Sequence, residues 1–342
     1  MSQLVFSGAA NHIDWNQKNE YQYSIGFGNA TRYIANQMHR HGINFVTGAH
    51  NDASKPNLAF CYPDEFKFLP NQYSIAYMPW ESTGLKQDWI DSLNRCDEVW
   101  TTSDWSKKTL DNLLDKPTFV YEHGIPKFCI PRKRKRPKDI IRFLHVGEPA
   151  LRKGAQDVVD AFVELFGNDN RYQLIVKCSG INTTRIRNSN GESLGTPGAH
   201  YRNIVVIEDY LPEELLIDLY RKTDIFLYPS YGEGFGFNSA YSIAMGIPTI
   251  CTAEWAPYRD FITAPLESEY IDSPWPAYHA GKMLEPNMQQ MREYMIDITE
   301  NYEKYSEISF RNAIGIHERF DWDKVSDKPM KRLKKIIRMT SK

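Results

Sequence analysis

The chain has 342 residues, 42% hydrophobic and 25% charged, with a formal charge of −2: a globular composition long enough for two domains. No stretch approaches the ~18 consecutive apolar residues of a membrane span, and Met1–Gly8 has neither a basic nor a long apolar leader segment, so the expectation is a cytoplasmic chain. Five widely spaced cysteines (Cys61, Cys96, Cys129, Cys178, Cys251) without a CxxC pair exclude a disulfide frame or structural zinc site and fit free thiols in a reducing compartment.

Leu4-Val5-Phe6 predicts a buried first strand that turns at Gly8. A polar loop with Asn11, His12 and Asp14 leads to Gly26-Phe27-Gly28-Asn29, read as a glycine loop ahead of a helix over Ala30–His41 that stops at Gly42. Ile43–Val46, Tyr73–Met78, Glu98–Thr101 and Thr118–Tyr121 read as strands, with helices from Gln87 and from Ser103, a good N-cap. Beyond a basic linker, Ile140–Val146 is a strand and Lys153–Phe166 a helix with Val158, Val159, Phe162 and Leu165 on one face. Tyr172–Val176, Ile204–Ile207, Ile225–Tyr228 and Thr249–Cys251 are further strands, with helices from about Pro212 and Asn238; Arg185–His200 reads as a polar mobile loop. Strand–helix alternation twice over predicts an α/β chain of two doubly wound, Rossmann-like domains, residues 1–130 and 131–317. Facing each other, they would bring the carboxyl ends of both sheets to a central cleft, where open α/β sheets bind ligands.

Two segments carry chemistry. Tyr228–Ala240 runs from a strand through Gly232, Gly234 and Gly236 directly into a helix, the arrangement that lets backbone amides and a helix N-terminus meet a phosphate. Glu233 sits within it, where a carboxylate is unfavourable beside an anion unless it has a task such as accepting hydrogen bonds from sugar hydroxyls; the plainer alternative is a tight turn with a surface Glu. Gly147–Gly154 follows the first strand of the second half and places Arg152 and Lys153 at an expected helix start, where cations are unfavourable unless an anion binds or they are simply solvated.

Together these segments resemble glycosyltransferase family 4 of the GT-B enzymes. The resemblance runs in order through Tyr77–Thr83, Trp89–Trp100 with Ser103, His123-Gly124-Ile125, Arg152-Lys153-Gly154, Pro229-Ser230 with Glu233–Gly236, and Gly246–Thr249. It implies a GT-B fold, with a C-terminal helix over 318–342 returning to the first domain, and metal-independent, retaining sugar transfer from a nucleotide sugar. No cofactor or metal is expected, and a UDP-sugar is the leading donor. Glu233 would contact the sugar, the amides of Gly234, Phe235 and Gly236 would line the donor with Gly147 and Arg152, and Lys153 would bind the diphosphate. The second family Glu is replaced by Tyr241, and Glu148 follows Gly147 where a basic residue is common. Glu81 is the candidate for orienting acceptor or sugar, with helix capping as its alternative. Gly26, Gly28 and His12 are candidate cleft lining.

Gly191–Gly195 satisfies GxSxG without a strand ahead of it, and Asp321-Trp322-Asp323 opens a helix, so neither is read as catalytic. Charge is unevenly spread. Lys127–Lys138 holds seven basic residues and no acid, and Lys324–Lys342 eight and one, leaving a remainder of net −16. Met330, Leu333, Ile336 and Ile337 recur at helical spacing, so one face of the last helix buries and the other is cationic. A solvated face is the ordinary explanation. The sharper one is a polyanion site through Arg132, Lys133, Arg134, Lys331 and Lys335. The acceptor would be phage DNA with hydroxymethylated bases, in a host cytoplasm, or lipid-linked or polysaccharide acceptors at an anionic membrane. The absence of an exposed apolar anchor in the sequence pattern favours DNA. A non-catalytic nucleotide-sugar-binding protein of the same fold is the alternative from another class.

Overall fold

The computed structural model describes residues 3–13, 15, 25–48, 52–148, 150–178, 186–188, 190–194 and 200–341. Asp14, Gly195 and much of the Arg185–His200 loop lie outside the described residues. Two units emerge: residues 1–124 with 272–282 and 319–342, and residues 125–271 with 283–318. The sequence boundary at 130 thus falls slightly late, and 272–282, which sequence alternation assigned to the second domain, belongs with the first.

The first unit contains β1 (Leu4–Gly8), α1 (Ile25–Arg40), β2 (Phe45–Val46), β3 (Asn57–Phe60), β4 (Ser74–Tyr77), α2 (Gln87–Asn94), β5 (Glu98–Thr101), α3 (Asp104–Leu113) and β6 (Thr118–Val120). Its six strands run parallel in the order β2-β1-β3-β4-β5-β6. Strands covered on both faces read as continuous apolar runs rather than alternations, and β3, β4 and β5 are buried at every position. Strand β3, Asn57-Leu58-Ala59-Phe60, is not among the strands read from sequence: it opens on a polar residue and carries no β-branched side chain. Asn57 is nevertheless accommodated in the sheet, where its Oδ1 accepts the Ser7 hydroxyl at 2.8 Å. Helix α1 begins at Ile25, so Gly26 and Gly28 lie within its first turn and not in a loop ahead of it. It ends as expected: Gly42, at φ 69°, donates to His39, and Ile43 donates back to Met38 at 2.8 Å. Ser103 caps α3 by accepting from the Ser106 amide.

The second unit follows with β7 (Ile141–Val146), α4 (Ala155–Phe166), β8 (Tyr172–Lys177), β9 (Ile204–Ile207), α5 (Glu213–Arg221), β10 (Ile225–Tyr228), α6 (Phe237–Ala244), β11 (Thr249–Thr252) and β12 (Ala264–Leu266). These strands are also parallel, in the order β12-β11-β10-β7-β8-β9. The direction of winding therefore reverses between β7 and β10, which is the ligand-binding switch point of a doubly wound sheet. Val158, Val159 and Phe162 of α4 pack with Phe143, Leu174, Val176 and Leu227 in the core, with Leu165 against it. Strands β13 (Ser268–Asp272) and β14 (Lys282–Pro286) form a separate two-stranded sheet, followed by α7 (Met288–Glu300) and α8 (Tyr302–Arg319). The five cysteines are free and buried, and among the described residues no helix is long and apolar enough to cross a membrane.

The last helix, α9 (Trp322–Thr340), packs in the first unit. Asp321 caps it, accepting from the Asp323 and Lys324 amides. Gln37 of α1 donates to Asp323 at 2.9 Å, and Tyr33 stacks on Trp322 with centroids 5.0 Å apart. Met330, Leu333, Ile336 and Ile337 are buried along one face. The deepest tie is ionic: Arg332 makes a two-pronged contact with Glu98, a strand residue 1% exposed that also accepts from Tyr73 at 2.6 Å and Trp100 at 3.0 Å. Burial alone would raise the Glu98 carboxyl, but Arg332 and these donors hold it below its usual range. Replacing Arg332 by Met should cost about 3 kcal/mol in urea unfolding because it strands a buried carboxylate. Lys331→Ala, which removes only the exposed pair with Asp327, should change stability by about 0.5 kcal/mol or less.

Candidate functional site

At the switch point the loops after β7 and β10 are stitched together. The amide of Tyr231 donates to the Arg152 carbonyl at 2.9 Å, the Ser230 hydroxyl donates to the same oxygen at 3.2 Å, and Arg152 donates to the Gly232 carbonyl. Asn238, in the first turn of α6, donates to the Val146 carbonyl at 2.9 Å. Gly154 adopts φ +72°, and a Cβ there would lie 2.6 Å from the Pro229 oxygen, so only glycine lets the turns approach this closely. Gly236, at φ +78° between Trp255 and Tyr258, ends the loop at the N-terminus of α6 under the same constraint. Lys153 does not open a helix. It closes a 3-10 turn, Leu151–Lys153, and left-handed Gly154 separates it from α4.

This construction brings together the residues singled out by sequence. The Lys153 ammonium donates to Glu233 Oε1 at 2.6 Å and Oε2 at 2.8 Å, and Arg152 contacts Oε1 at 3.2 Å. Tyr228 and Ser230 donate to Oε1 at 2.9 and 2.8 Å. Glu233 is buried. Burial would raise its carboxyl, yet the Lys153 and Arg152 charges, with hydrogen bonds from Lys153 and Ser230, outweigh it and hold the group down at about 2. Two cations surround one anion, leaving an excess positive charge beside Gly234, Phe235 and Gly236 and the start of α6, a combination that favours an incoming anion.

Sequence reading missed His145, on β7. Its Nδ1 donates to the Leu227 carbonyl at 3.0 Å and its ring stacks on Tyr228 with centroids 5.8 Å apart. Burial lowers its pKa to about 4, so the imidazole is neutral at pH 7. Nε2 faces Gly147, where a Cβ would come within 3.3 Å of it. No motif announces a histidine inside a strand; only the strand order reveals its position. Tyr241 is buried in α6, edge-on to Phe128 at 5.6 Å and tilted against Phe237. Its position carries a packed aromatic ring in place of a carboxylate.

The first unit holds a second cluster. Buried Glu81 accepts from the Tyr62 hydroxyl at 3.2 Å, and its Oε2 lies 3.6 Å from Nε2 of His279, whose ring stacks on Trp80. Helix capping does not fit Glu81, because α2 starts only at Gln87, after Lys86. His279 arrives on the 272–282 segment, which is fastened by Ser82 donating to Ala280 at 2.9 Å and the Lys282 amide donating to Thr83 Oγ1 at 2.8 Å. That pairing spans some two hundred residues and leaves no trace in local sequence. His12 is exposed at the end of a 3-10 turn after β1.

The polyanion candidates divide. Arg134 is engaged within the second unit, donating to the carbonyls of Tyr220, Arg221 and Thr223 at the end of α5, and so is not presented to a partner. Lys133 pairs with Glu307 and Lys331 with Asp327, both on the surface, while Arg132 is exposed. Lys331, Lys334, Lys335 and Arg338 of α9 line an open groove of about 700 Å³ together with Met339. Met339 is 56% exposed, so an apolar anchor does accompany the basic residues, contrary to the sequence expectation.

Two doubly wound parallel sheets with a cation-rich glycine loop at the switch point of the second define the architecture of GT-B glycosyltransferases. Residues 127–309 match the family described as glycosyl transferases group 1, over half of the chain, and the chain belongs to that family. It is 24% identical over 251 residues to "Putative glycosyltransferase 45" of Sulfolobus islandicus filamentous virus (isolate Iceland/Hveragerdi), a match covering 67% of this chain but 66% of the viral protein, just under two thirds of it. The α,α-trehalose 6-phosphate synthase of Burkholderia multivorans superposes with a TM-score of 0.62 at 10% identity, over 93% of this chain and 79% of that one. The pneumococcal O-GlcNAc transferase GtfA, solved with UDP and GlcNAc, superposes with a TM-score of 0.53 at 14% identity, over 84% of this chain and 57% of that one. At these identities the structural likenesses speak for the fold.

A depressed carboxyl has a readable signature. With the folded-state value near 2 and the ordinary value of 4.5, the unfolded chain binds the proton first, so the Glu233 contribution is complete above about pH 5 and fades as pH falls towards 2. The melting temperature of Glu233→Gln should therefore fall less than that of the wild type between pH 5 and pH 3 in thermal unfolding scans.

Proposed function

We propose that the protein transfers a sugar, with retention, from a nucleotide-diphosphate sugar to an acceptor hydroxyl. One observation carries the reading: the Glu233–Lys153–Arg152 cluster stands at the switch point of the second sheet in a chain of the glycosyl transferases group 1 family. UDP is the first donor nucleotide to test, since it occupies the GtfA structure.

The chemistry follows from the charges. Breaking the bond between the anomeric carbon and the diphosphate oxygen builds negative charge on the leaving group and oxocarbenium character on the sugar. Lys153 and Arg152, with the N-terminus of α6, meet the leaving charge. As Lys153 turns to the diphosphate, Glu233 is left to accept hydrogen bonds from sugar hydroxyls. The acceptor oxygen bonds to the anomeric carbon on the face the diphosphate leaves, and its proton passes to the departing phosphate. Glu81, with His279, is assigned to orienting the acceptor. Gly26, Gly28 and His12 remain candidate lining of the acceptor side, and Gly147 and Tyr241 of the donor side.

The basic groove on α9 supports a polyanionic acceptor or surface, with hydroxymethylated DNA as one choice. Exposed Met339 favours a second reading, an anionic membrane presenting lipid-linked or polysaccharide acceptors. Loss of duplex binding with added salt, set against co-sedimentation with anionic liposomes, separates the two.

A thermal-shift screen of UDP-, GDP-, ADP- and CDP-sugars should single out the donor, a ligand at a hundred times its Kd stabilising by about 2.7 kcal/mol. Lys153→Ala and Glu233→Ala should each lower turnover, measured as donor hydrolysis or transfer, by about a hundredfold or more. Unchanged turnover in either variant contradicts the assignment, and nucleotide-sugar binding without any turnover in the wild type points to a binding protein.

A further inference from the structure

We propose that Lys177 is a nucleotide-binding residue, its ammonium taking an oxygen of the donor's nucleoside-diphosphate part. The inference deepens the donor-site reading above and rests on it. Lys177 is the last residue of β8, at the carboxyl end of the second sheet, and is 2% exposed. Among the described residues its Nζ has no hydrogen-bond partner. Elsewhere among the described residues, Lys153 and Arg152 are matched by Glu233 and Arg332 by Glu98, and Arg134 donates through its terminal nitrogens to three carbonyls. A buried ammonium lacking any acceptor is costly and calls for an explanation.

Its position supplies one. The strand register sets Lys177 opposite Val146 on β7 and Ile207 on β9. Its carbonyl accepts the Gly147 amide at 3.0 Å, and a Cβ on Gly147 would lie 3.3 Å from the Lys153 Cβ. Lys177 therefore borders the very turn that delivers Lys153 to the switch point. Leu174 and Val176 of the same strand enter the core with α4, so alternation sends Lys177 to the other face of the sheet. Burial weakens its hold on a proton, and the nearby Asp209 charge supports the charged form without bonding to it. An oxygen-rich ligand at this edge would give the ammonium the acceptor that the chain does not provide. Phosphate, ribose and base oxygens share that chemistry, and the probes below separate phosphate from nucleoside.

The test compares wild type and Lys177→Met by calorimetry with UDP, UMP, uridine and inorganic pyrophosphate, and by thermal unfolding without ligand. UDP affinity should fall at least tenfold in Lys177→Met, while the ligand-free protein melts at the same or a higher temperature because an unmatched charge is gone. A purely structural lysine would do the reverse. If pyrophosphate binding falls in parallel with UDP while uridine is unaffected, the contact is to phosphate; if uridine and UMP fall while pyrophosphate does not, it is to the nucleoside. Should Lys177→Met fail to fold, Lys177→Gln serves with the same expectation. Equal UDP affinity in wild type and variant overturns the inference and leaves the donor-site reading standing. If the wild type binds neither these probes nor GDP, ADP or CDP, the donor-site reading itself fails and the inference falls with it.

Discussion

A carboxylate buried between two cations organises the second unit. Glu233 cannot lie under the glycine loop as an isolated anion, because desolvation would drive it to its neutral form. Lys153 and Arg152 make its charge tenable, and to reach it they must be carried on a turn pressed against the loop. That pressing explains Gly154 against Pro229, the Tyr231 and Ser230 bonds to the Arg152 carbonyl, and the Asn238 bond to Val146. The electrostatic demand of one side chain thus accounts for the geometry of two loops and the start of a helix.

The same cluster is poised for exchange. On the proposed reading, a diphosphate would compete for Lys153 and Arg152, and sugar hydroxyls would compete for the carboxylate. In the free protein the cluster is neutralised internally except for one positive charge, which gives an anionic ligand both attraction and a partner to displace. The first unit is built differently. Its Glu81 accepts from a tyrosine hydroxyl and lies near an imidazole that stacks on Trp80, so that cluster offers hydrogen bonding and flat apolar faces rather than two cations around one anion.

The basic stretches show how charge counts mislead. In the linker, Arg134 donates to carbonyls at the end of α5 and Lys133 lies in a surface pair, both engaged inside the second unit. On α9, Arg332 is a structural anchor of the first unit, whereas Lys334, Lys335 and Arg338 line a groove. Equal residue types in equally basic segments have unequal availability, decided by which carbonyls and carboxylates the fold brings to them.

Sequence alone determined the alternation of strands and helices, because parallel strands buried on both faces are short apolar runs separated by amphipathic helices and glycine stops. It also marked Arg152-Lys153 and Glu233–Gly236, since glycine clusters and unneutralised charges stand out locally. It misplaced Gly26 and Gly28, which a helix tolerates in its first turn, and it passed over β3, whose polar Asn57 side chain accepts a hydrogen bond from Ser7 fifty residues away. The partners were beyond its reach: His279 at Glu81, His145 beneath Tyr228, Lys177 beside Gly147. Those meetings depend on strand order and on a returning segment, which are long-range pairings that no local spacing encodes.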